Sequence, residues 1–141
     1  MELLIVVAIL LIIAAIAIPS LLTSRRSANE SSAVGSARSI NTAQVSYSYG
    51  HPKVGFSCDL TTLGAAGLVD KALAEGKKGG YVFAVVDCPK RKGVVVGYTW
   101  VASPVDPGQT GSKFYCGDQT GVVRFSIKDV QDCIHKGQPM S

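Results

Sequence analysis

The sequence predicts an α+β domain in which a long N-terminal α-helix packs on a four-stranded antiparallel sheet. Three features of the chain support this fold class. An apolar run opens it, a helical period of three to four follows, and segments of period two separated by short turns occupy the second half. Four widely spaced cysteines, all beyond the apolar run, predict loops closed by disulfides.

The apolar run covers residues 3–18, and none of its side chains carries a charge or a hydrogen-bonding group. At 1.5 Å per residue it forms about 24 Å of helix, and about 30 Å when Leu21 and Leu22 are added. This length is close to that of a membrane span. We therefore assign residues 1–22 to a hydrophobic N-terminal helix.

Two residues stand out in this helix. Glu2 lies at its head without a basic neighbour. Since an unpaired carboxylate in an apolar setting is costly, Glu2 needs a partner or a wet location; the simpler alternative is that it lies among lipid headgroups and favours its own helix N-terminus. Pro19 lacks a backbone N–H and clashes with the preceding turn, which predicts a kink or a local loosening.

Residues 23–141 form the predicted globular domain, which begins with an amphipathic helix over residues 23–49. Its apolar positions recur at steps of three and four: Ala33, Ala37, Ile40, Ala43 or Gln44, and Tyr47. The Gly-His-Pro sequence at 50–52 is a helix stop. The predicted helix is therefore continuous from the apolar run to this stop.

A Gly-rich connecting loop over residues 50–80 leads to the predicted sheet and C-terminal loop, residues 81–141. The four strands are expected at residues 80–87, 93–102, 113–116 and 122–127. Short connections between them require antiparallel neighbours. Alternation places two sets of side chains on inward faces: Val94, Val96, Tyr98 and Trp100, and then Val123, Phe125 and Ile127.

The net charge of +4 is spread along the chain without a block of five like charges, so no nucleic-acid-binding arm is indicated and nucleic acid is not an expected partner. The charged loop 88–93 carries Lys90, Arg91 and Lys92. A binding surface for DNA is one interpretation of these three cations. A solvated hairpin tip is the interpretation we favour.

The spacing of the cysteines and histidines does not fit a metal site, because the chain has no Cys-x-x-Cys pair. An even number of widely spaced cysteines favours two disulfides and an oxidising compartment. The sequence also lacks Ser-His-Asp spacing and a phosphate-binding Gly loop. It therefore predicts no enzyme, no metal and no cofactor, and places His51 and His135 on the surface.

Residues 2–9 (Glu-Leu-Leu-Ile-Val-Val-Ala-Ile) and 14–19 (Ala-Ala-Ile-Ala-Ile-Pro) resemble the N-terminal region of type IV pilins and type II secretion pseudopilins. The segment 114–125 is similar to strands near the end of many bacterial pilins. The N-terminal motif is specific over about 20 residues, and beyond it the resemblance is one of architecture. In the family a basic leader is cut after a Gly and the new N-terminal residue is methylated, so we expect the working protein to begin upstream of Met1.

The resemblance implies a structural subunit of a type IV pilus, held in the bacterial inner membrane with its domain in the periplasm before it enters an extracellular filament. The partners implied are identical subunits, the membrane and the assembly machinery. Glu2 would pair with the N-terminal amine of a neighbouring subunit, and Pro19 would mark where the helix unwinds. A pseudopilin or minor pilin is the alternative within the family, and a membrane-anchored periplasmic binding domain, with DNA as one ligand, is the alternative outside it.

Four cysteines allow three pairings. We favour Cys58–Cys88, which ties the connecting loop to the end of the first strand. The remaining pair, Cys116–Cys133, then closes the C-terminal segment onto the third strand.

Overall fold

The computed structural model describes residues 1–140. It contains one long helix, three short helices and eight strands. In chain order these are α1 (Glu2–Gly50), α2 (Leu60–Ala65), α3 (Lys71–Ala74), β1 (Lys77–Lys78), β2 (Tyr81–Asp87), β3 (Lys90–Arg91), β4 (Val94–Val95), β5 (Thr99–Pro104), β6 (Phe114–Asp118), β7 (Val123–Ser126), α4 (Val130–Lys136) and β8 (Gln138–Pro139). The chain is thus α+β, with an antiparallel sheet packed against a single helix of 49 residues.

The main sheet has six strands in the order β1-β2-β5-β6-β7-β8, so the expected count of four is wrong. Its four central strands are those that the alternation predicts. The two additional strands, β1 and β8, are edge strands of two residues each and are too short to give a periodic signal. Every pairing in this sheet is antiparallel.

The predicted strand over residues 93–102 is divided in two. Its first part, β4, folds back on β3 to form a separate two-stranded hairpin, and only β5 joins the main sheet. The turn at Lys92 and Gly93, whose φ values of 52° and 81° suit a tight two-residue hairpin, pairs β4 with β3, and residues 96–98 then separate β4 from β5.

The division changes which side chains face inward. Tyr98 and Trp100 are buried as expected, but Val95 is buried and Val96 is 47% exposed, because the hairpin does not keep the alternation of β5. In β7, Val123 is buried. Ile127 is 77% exposed because the strand ends one residue before it.

The amphipathic half of α1 packs on the sheet through the predicted stripe of small and apolar residues. Ala33, Ala37, Ile40, Ala43 and Gln44 are all buried. Opposite them, the core is built mainly from aromatic side chains of the strands and two leucines of the short helices: Tyr81, Phe83, Tyr98, Trp100, Tyr115, Leu63 and Leu73. Small helix residues allow the backbone of α1 to approach these large side chains closely.

The C-terminal segment forms α4 and β8, which the sequence does not predict. Asp129 caps α4 by accepting a hydrogen bond from the backbone N–H of Asp132 at 2.7 Å. Val130 and Ile134 of α4 pack around the Cys116–Cys133 disulfide on the outer face of the sheet. The helix holds the tail with more than the covalent bond alone.

Both disulfides of the structure follow the pairing favoured from the sequence. Cys58 is bonded to Cys88, and Cys116 is bonded to Cys133, with Cα–Cα distances of 5.6 and 6.0 Å. The first joins the connecting loop to the end of β2, and the second joins β6 to α4. Each therefore ties a segment with few apolar residues to the sheet.

Candidate assembly surface

The first half of α1 is an apolar rod that no other part of the described chain covers. Its leucine, isoleucine and valine side chains are 45–76% exposed between residues 3 and 22. This is the one described helix that is long and apolar enough to cross a membrane. Covering these side chains is worth on the order of 20 kcal/mol, more than the 5–15 kcal/mol that stabilise an ordinary domain. By length and composition this segment could therefore span a membrane, and burial in lipid or against other protein chains would be favourable.

Glu2 is the first residue of α1, and its side chain is exposed. The helical hydrogen bonds begin beside it, with the backbone N–H of Ile5 donating to Met1 O at 3.2 Å. Within residues 1–140 the Glu2 carboxylate has no ion pair and no side-chain hydrogen bond. A carboxylate in the first turn is favoured by the helix dipole, which contributes about 0.3–1 kcal/mol at an exposed site.

Pro19 lies inside α1, and the helix continues through it without a break. Its ring removes one backbone donor, so a carbonyl in the preceding turn has no helical partner there. Below it, the hydroxyl of Thr23 donates to the carbonyl oxygen of Pro19 at 3.2 Å. The loosening predicted at Pro19 therefore does not interrupt the helix. The helix nevertheless lacks one backbone hydrogen bond, the one that the N–H of residue 19 would have donated.

The free half of α1 ends where one helical turn binds the loop between β5 and β6. The Arg26 guanidinium donates to the carbonyl oxygen of Gly108, and the Asn29 amide donates to Thr110 O at 3.0 Å. The Glu30 carboxylate accepts from both the backbone N–H and the hydroxyl of Ser112, each at 2.8 Å. These contacts set the point at which the helix leaves the domain.

Deeper in the contact between α1 and the sheet, one carboxamide joins three elements. The Asn41 Oδ1 atom accepts from the Trp100 indole N–H at 2.9 Å and from the Tyr98 hydroxyl at 3.1 Å. The Asn41 Nδ2 group donates to Gly121 O, in the turn between β6 and β7, at 3.2 Å. Because Asn41 is only 8% exposed, these contacts replace those that water would make.

A second buried amide lies one turn further along α1. Gln44 accepts from the backbone N–H of Ser57 at 2.8 Å and donates to the Ser57 carbonyl oxygen at 2.9 Å. This reciprocal pair fixes the connecting loop beside the Cys58–Cys88 disulfide. At the end of the helix, the His51 ring stacks on Tyr47 with centroids 4.2 Å apart, and both His51 and His135 are exposed as the sequence predicts.

Burial raises the pKa of three core tyrosines. The pKa of Tyr98 rises to about 12, first because of burial and then because of the Asp118 charge. The pKa of Tyr115 also rises to about 12, through burial and the Glu30 charge. Burial raises the pKa of Tyr81 as well, although its hydroxyl donates to Lys113 O at 2.8 Å. These groups are structural and remain protonated at neutral pH.

The sequence alone does not identify Arg26, Asn29, Glu30 and Asn41 as contact residues. Only Asn41 gives a signal, because it continues the 33-37-41-44 spacing of the buried stripe. Within residues 1–140 no group of three or more His, Cys, Asp or Glu side chains could hold a metal ion. The chain matches no family model, no curated protein and no solved structure.

Proposed function

We propose that this chain is a structural subunit of a type IV pilus, and that it polymerises through the apolar half of α1. The observation that carries the proposal is the division of one helix into a docked half and a fully exposed apolar half. The resemblance of residues 2–19 to the N-terminal region of pilins points to the same function. A helix that is apolar on all sides is stable in a bilayer or at the centre of a bundle of identical helices.

In this proposal the exposed half of α1 serves twice. It anchors the subunit in the bacterial inner membrane, and it then leaves the lipid for the filament core at little cost in apolar burial. The two disulfides fit a domain on the oxidising, periplasmic side of that membrane. Identical subunits related by a rotation that does not close produce an open filament.

Glu2 has the assembly role in this proposal. When a neighbouring helix covers the head of α1, the carboxylate loses water and needs a cation, for which the N-terminal amine of the next subunit is suited. Pro19 supports the same step, because a helix lacking one hydrogen bond can extend locally at that level.

Substitution of Glu2 tests the proposal. We expect Glu2→Ala to remain in the membrane fraction but to be absent from filaments sheared off the cells, because the subunits lose their charge pairing. Glu75→Ala is the matched control, since Glu75 is an exposed acid in the globular domain with only a 3.9 Å contact to Lys71. Normal filaments formed by Glu2→Ala would refute the pairing role.

Electron microscopy and mass spectrometry of sheared filaments separate the alternatives. A major pilin forms the main band of these filaments. If the chain occurs there only in trace amounts, it is a minor pilin or a pseudopilin. If it stays in the membrane fraction under all conditions, it is an anchored periplasmic binding domain, and the proposed filament function is wrong.

A further inference from the structure

We propose that the β3–β4 hairpin and the neighbouring residues 53–56 form a binding surface for the phosphate backbone of duplex DNA. We call these two segments, residues 53–56 and 89–96, the basic ribbon. This inference goes beyond the filament function and does not depend on it. It rests on a fourth cation that the fold adds to the three of the hairpin, and on the rigidity of the whole unit.

The fold brings Lys53 to the hairpin. Gly55 pairs with Val95 in a parallel bridge, and the Val95 N–H donates to the carbonyl oxygen of Val54 at 2.9 Å. The Phe56 N–H then donates to Val95 O at 3.2 Å. Lys53 immediately precedes this paired segment, so it lies beside β4, on the edge of the hairpin opposite β3 and toward the turn that carries Lys92.

The basic ribbon is held rigidly. β3 pairs with β4 through Lys90–Val95 and Arg91–Val94, and the Val96 N–H donates to Pro89 O at 2.9 Å. At its base, the Cys58–Cys88 disulfide joins its two segments covalently. A surface ordered before binding loses less conformational entropy when a ligand arrives.

The charge of the basic ribbon is not neutralised inside the chain. Its two segments contain four cations and no acidic residue. All four cations are exposed, and within residues 1–140 none of them forms a salt bridge. Two carboxylates lie next to the ribbon in the sequence. That of Asp59 caps α2, where it accepts from Thr62 N at 2.6 Å, and that of Asp87 is exposed and forms no salt bridge with the ribbon.

The position of the ribbon argues against a lipid headgroup as its anion. It follows the C-terminal end of α1, which at 1.5 Å per residue lies about 70 Å from Glu2. Cations that bind the lipid headgroups of the membrane in which the protein is anchored are expected close to the point where the transmembrane helix leaves the bilayer. The four cations of the ribbon lie at the opposite end of the helix.

The chemistry of the ribbon favours nucleic acid over a protein partner. Protein interfaces are depleted of lysine in their centres and rich in aromatic and apolar side chains. The base of the ribbon exposes Val54 and Val96 by 46% and 47%, whereas its tip, residues 90–93, exposes three cations and no apolar side chain. A two-stranded ribbon fits the major groove of B-DNA, and phosphate contacts by Lys and Arg supply non-specific affinity.

The test measures binding of the full chain, in non-ionic detergent micelles, to a short fluorescein-labelled DNA duplex by fluorescence anisotropy. Four phosphate contacts predict a slope of about −3.6 in log K against log salt, so that affinity falls about 150-fold between about 50 and about 200 mM NaCl. The variant Lys53→Gln/Lys92→Gln should halve the slope, which reduces that loss to about 12-fold.

The control variant Lys77→Gln/Lys128→Gln removes two exposed cations outside the ribbon, and it should bind as the unmodified chain does. An equal loss in both variants would mean that only net charge matters, which overturns the proposal. Absence of measurable DNA binding overturns it too. If poly-glutamate displaces the duplex at equal charge concentration, the surface is a general site for acidic chains and the assignment to DNA is wrong. Pelleting of filaments is a separate measurement that these variants should not change.

Discussion

Replacing Asn41 by Ala tests whether the contact between α1 and the sheet depends on its buried polar groups. The change removes the only acceptor that the structure gives to the Trp100 indole N–H and to the Tyr98 hydroxyl. Trp100 is fully buried and Tyr98 is 1% exposed, so water does not replace the lost acceptor. The third partner, the Gly121 carbonyl, lies in an exposed turn and can bind water instead.

The expected loss follows from these two buried donors. A buried donor left without a partner costs about 1–3 kcal/mol, and the small cavity left by the amide adds to this. We therefore expect Asn41→Ala to lower the free energy of unfolding by about 3 kcal/mol and the melting temperature by roughly 10 °C. Ser39→Ala is the control, because this exposed hydroxyl bonds only within α1 and should cost less than about 0.5 kcal/mol.

Urea unfolding of the full chain in detergent micelles, followed by the fluorescence of its one tryptophan, measures this loss. A double-mutant cycle with Tyr98→Phe isolates the hydrogen bond. Tyr98→Phe should cost about 1 kcal/mol in the unmodified chain and almost nothing in Asn41→Ala, where the hydroxyl already lacks its acceptor. A loss below about 0.5 kcal/mol in Asn41→Ala, or fully additive effects in the cycle, would refute the reasoning.

Two further predictions concern the disulfide at the C-terminus and the buried tyrosines. The variant Cys116→Ser/Cys133→Ser should lose about 3 kcal/mol of unfolding free energy, as expected for a closed loop of 17 residues, and unchanged urea unfolding would contradict it. For Tyr98 and Tyr115, the pKa in the folded state rises from 10.0 to about 12. The unfolded chain therefore loses these protons first, so the contribution of each tyrosine to stability is constant below pH 10 and falls by up to about 1.4 kcal/mol per pH unit as the pH rises toward 12. Tyrosinate absorbance at fixed urea checks this, and ordinary ionisation of both tyrosines in the folded chain would count against it.

The sequence predicts the parts of this fold that carry a long periodic signal. The helix from Glu2 to Gly50 and the four central strands are such parts. The edge strands β1 and β8 have two residues each and carry no period. The division of the predicted strand 93–102 is a different kind of failure, because residues 96–98 interrupt an apparently continuous run of strand-forming residues between β4 and β5.

The features of the candidate site likewise divide into those that the sequence predicts and those that only the structure shows. The exposed apolar half of α1 is evident from composition alone. The binding of Arg26, Asn29 and Glu30 to the loop after β5 joins residues about 80 positions apart, and only the folded chain brings them together. The same holds for Lys53, which reaches the hairpin through one parallel bridge.

The polar contacts along α1 fix the position of the helix on the sheet, which a subunit of the proposed filament would need when it is pulled by its apolar half. Apolar packing alone tolerates sliding, since one small side chain can replace another against the aromatic core. A shift of α1 by one turn would instead leave Asn41, Gln44 and their four partners in the sheet and loops unpaired, at about 1–3 kcal/mol for each buried group. The register between helix and sheet is therefore fixed by directional bonds. Force applied to the free half of α1 is therefore transmitted to the sheet through these hydrogen bonds, and the helix does not slide along the sheet.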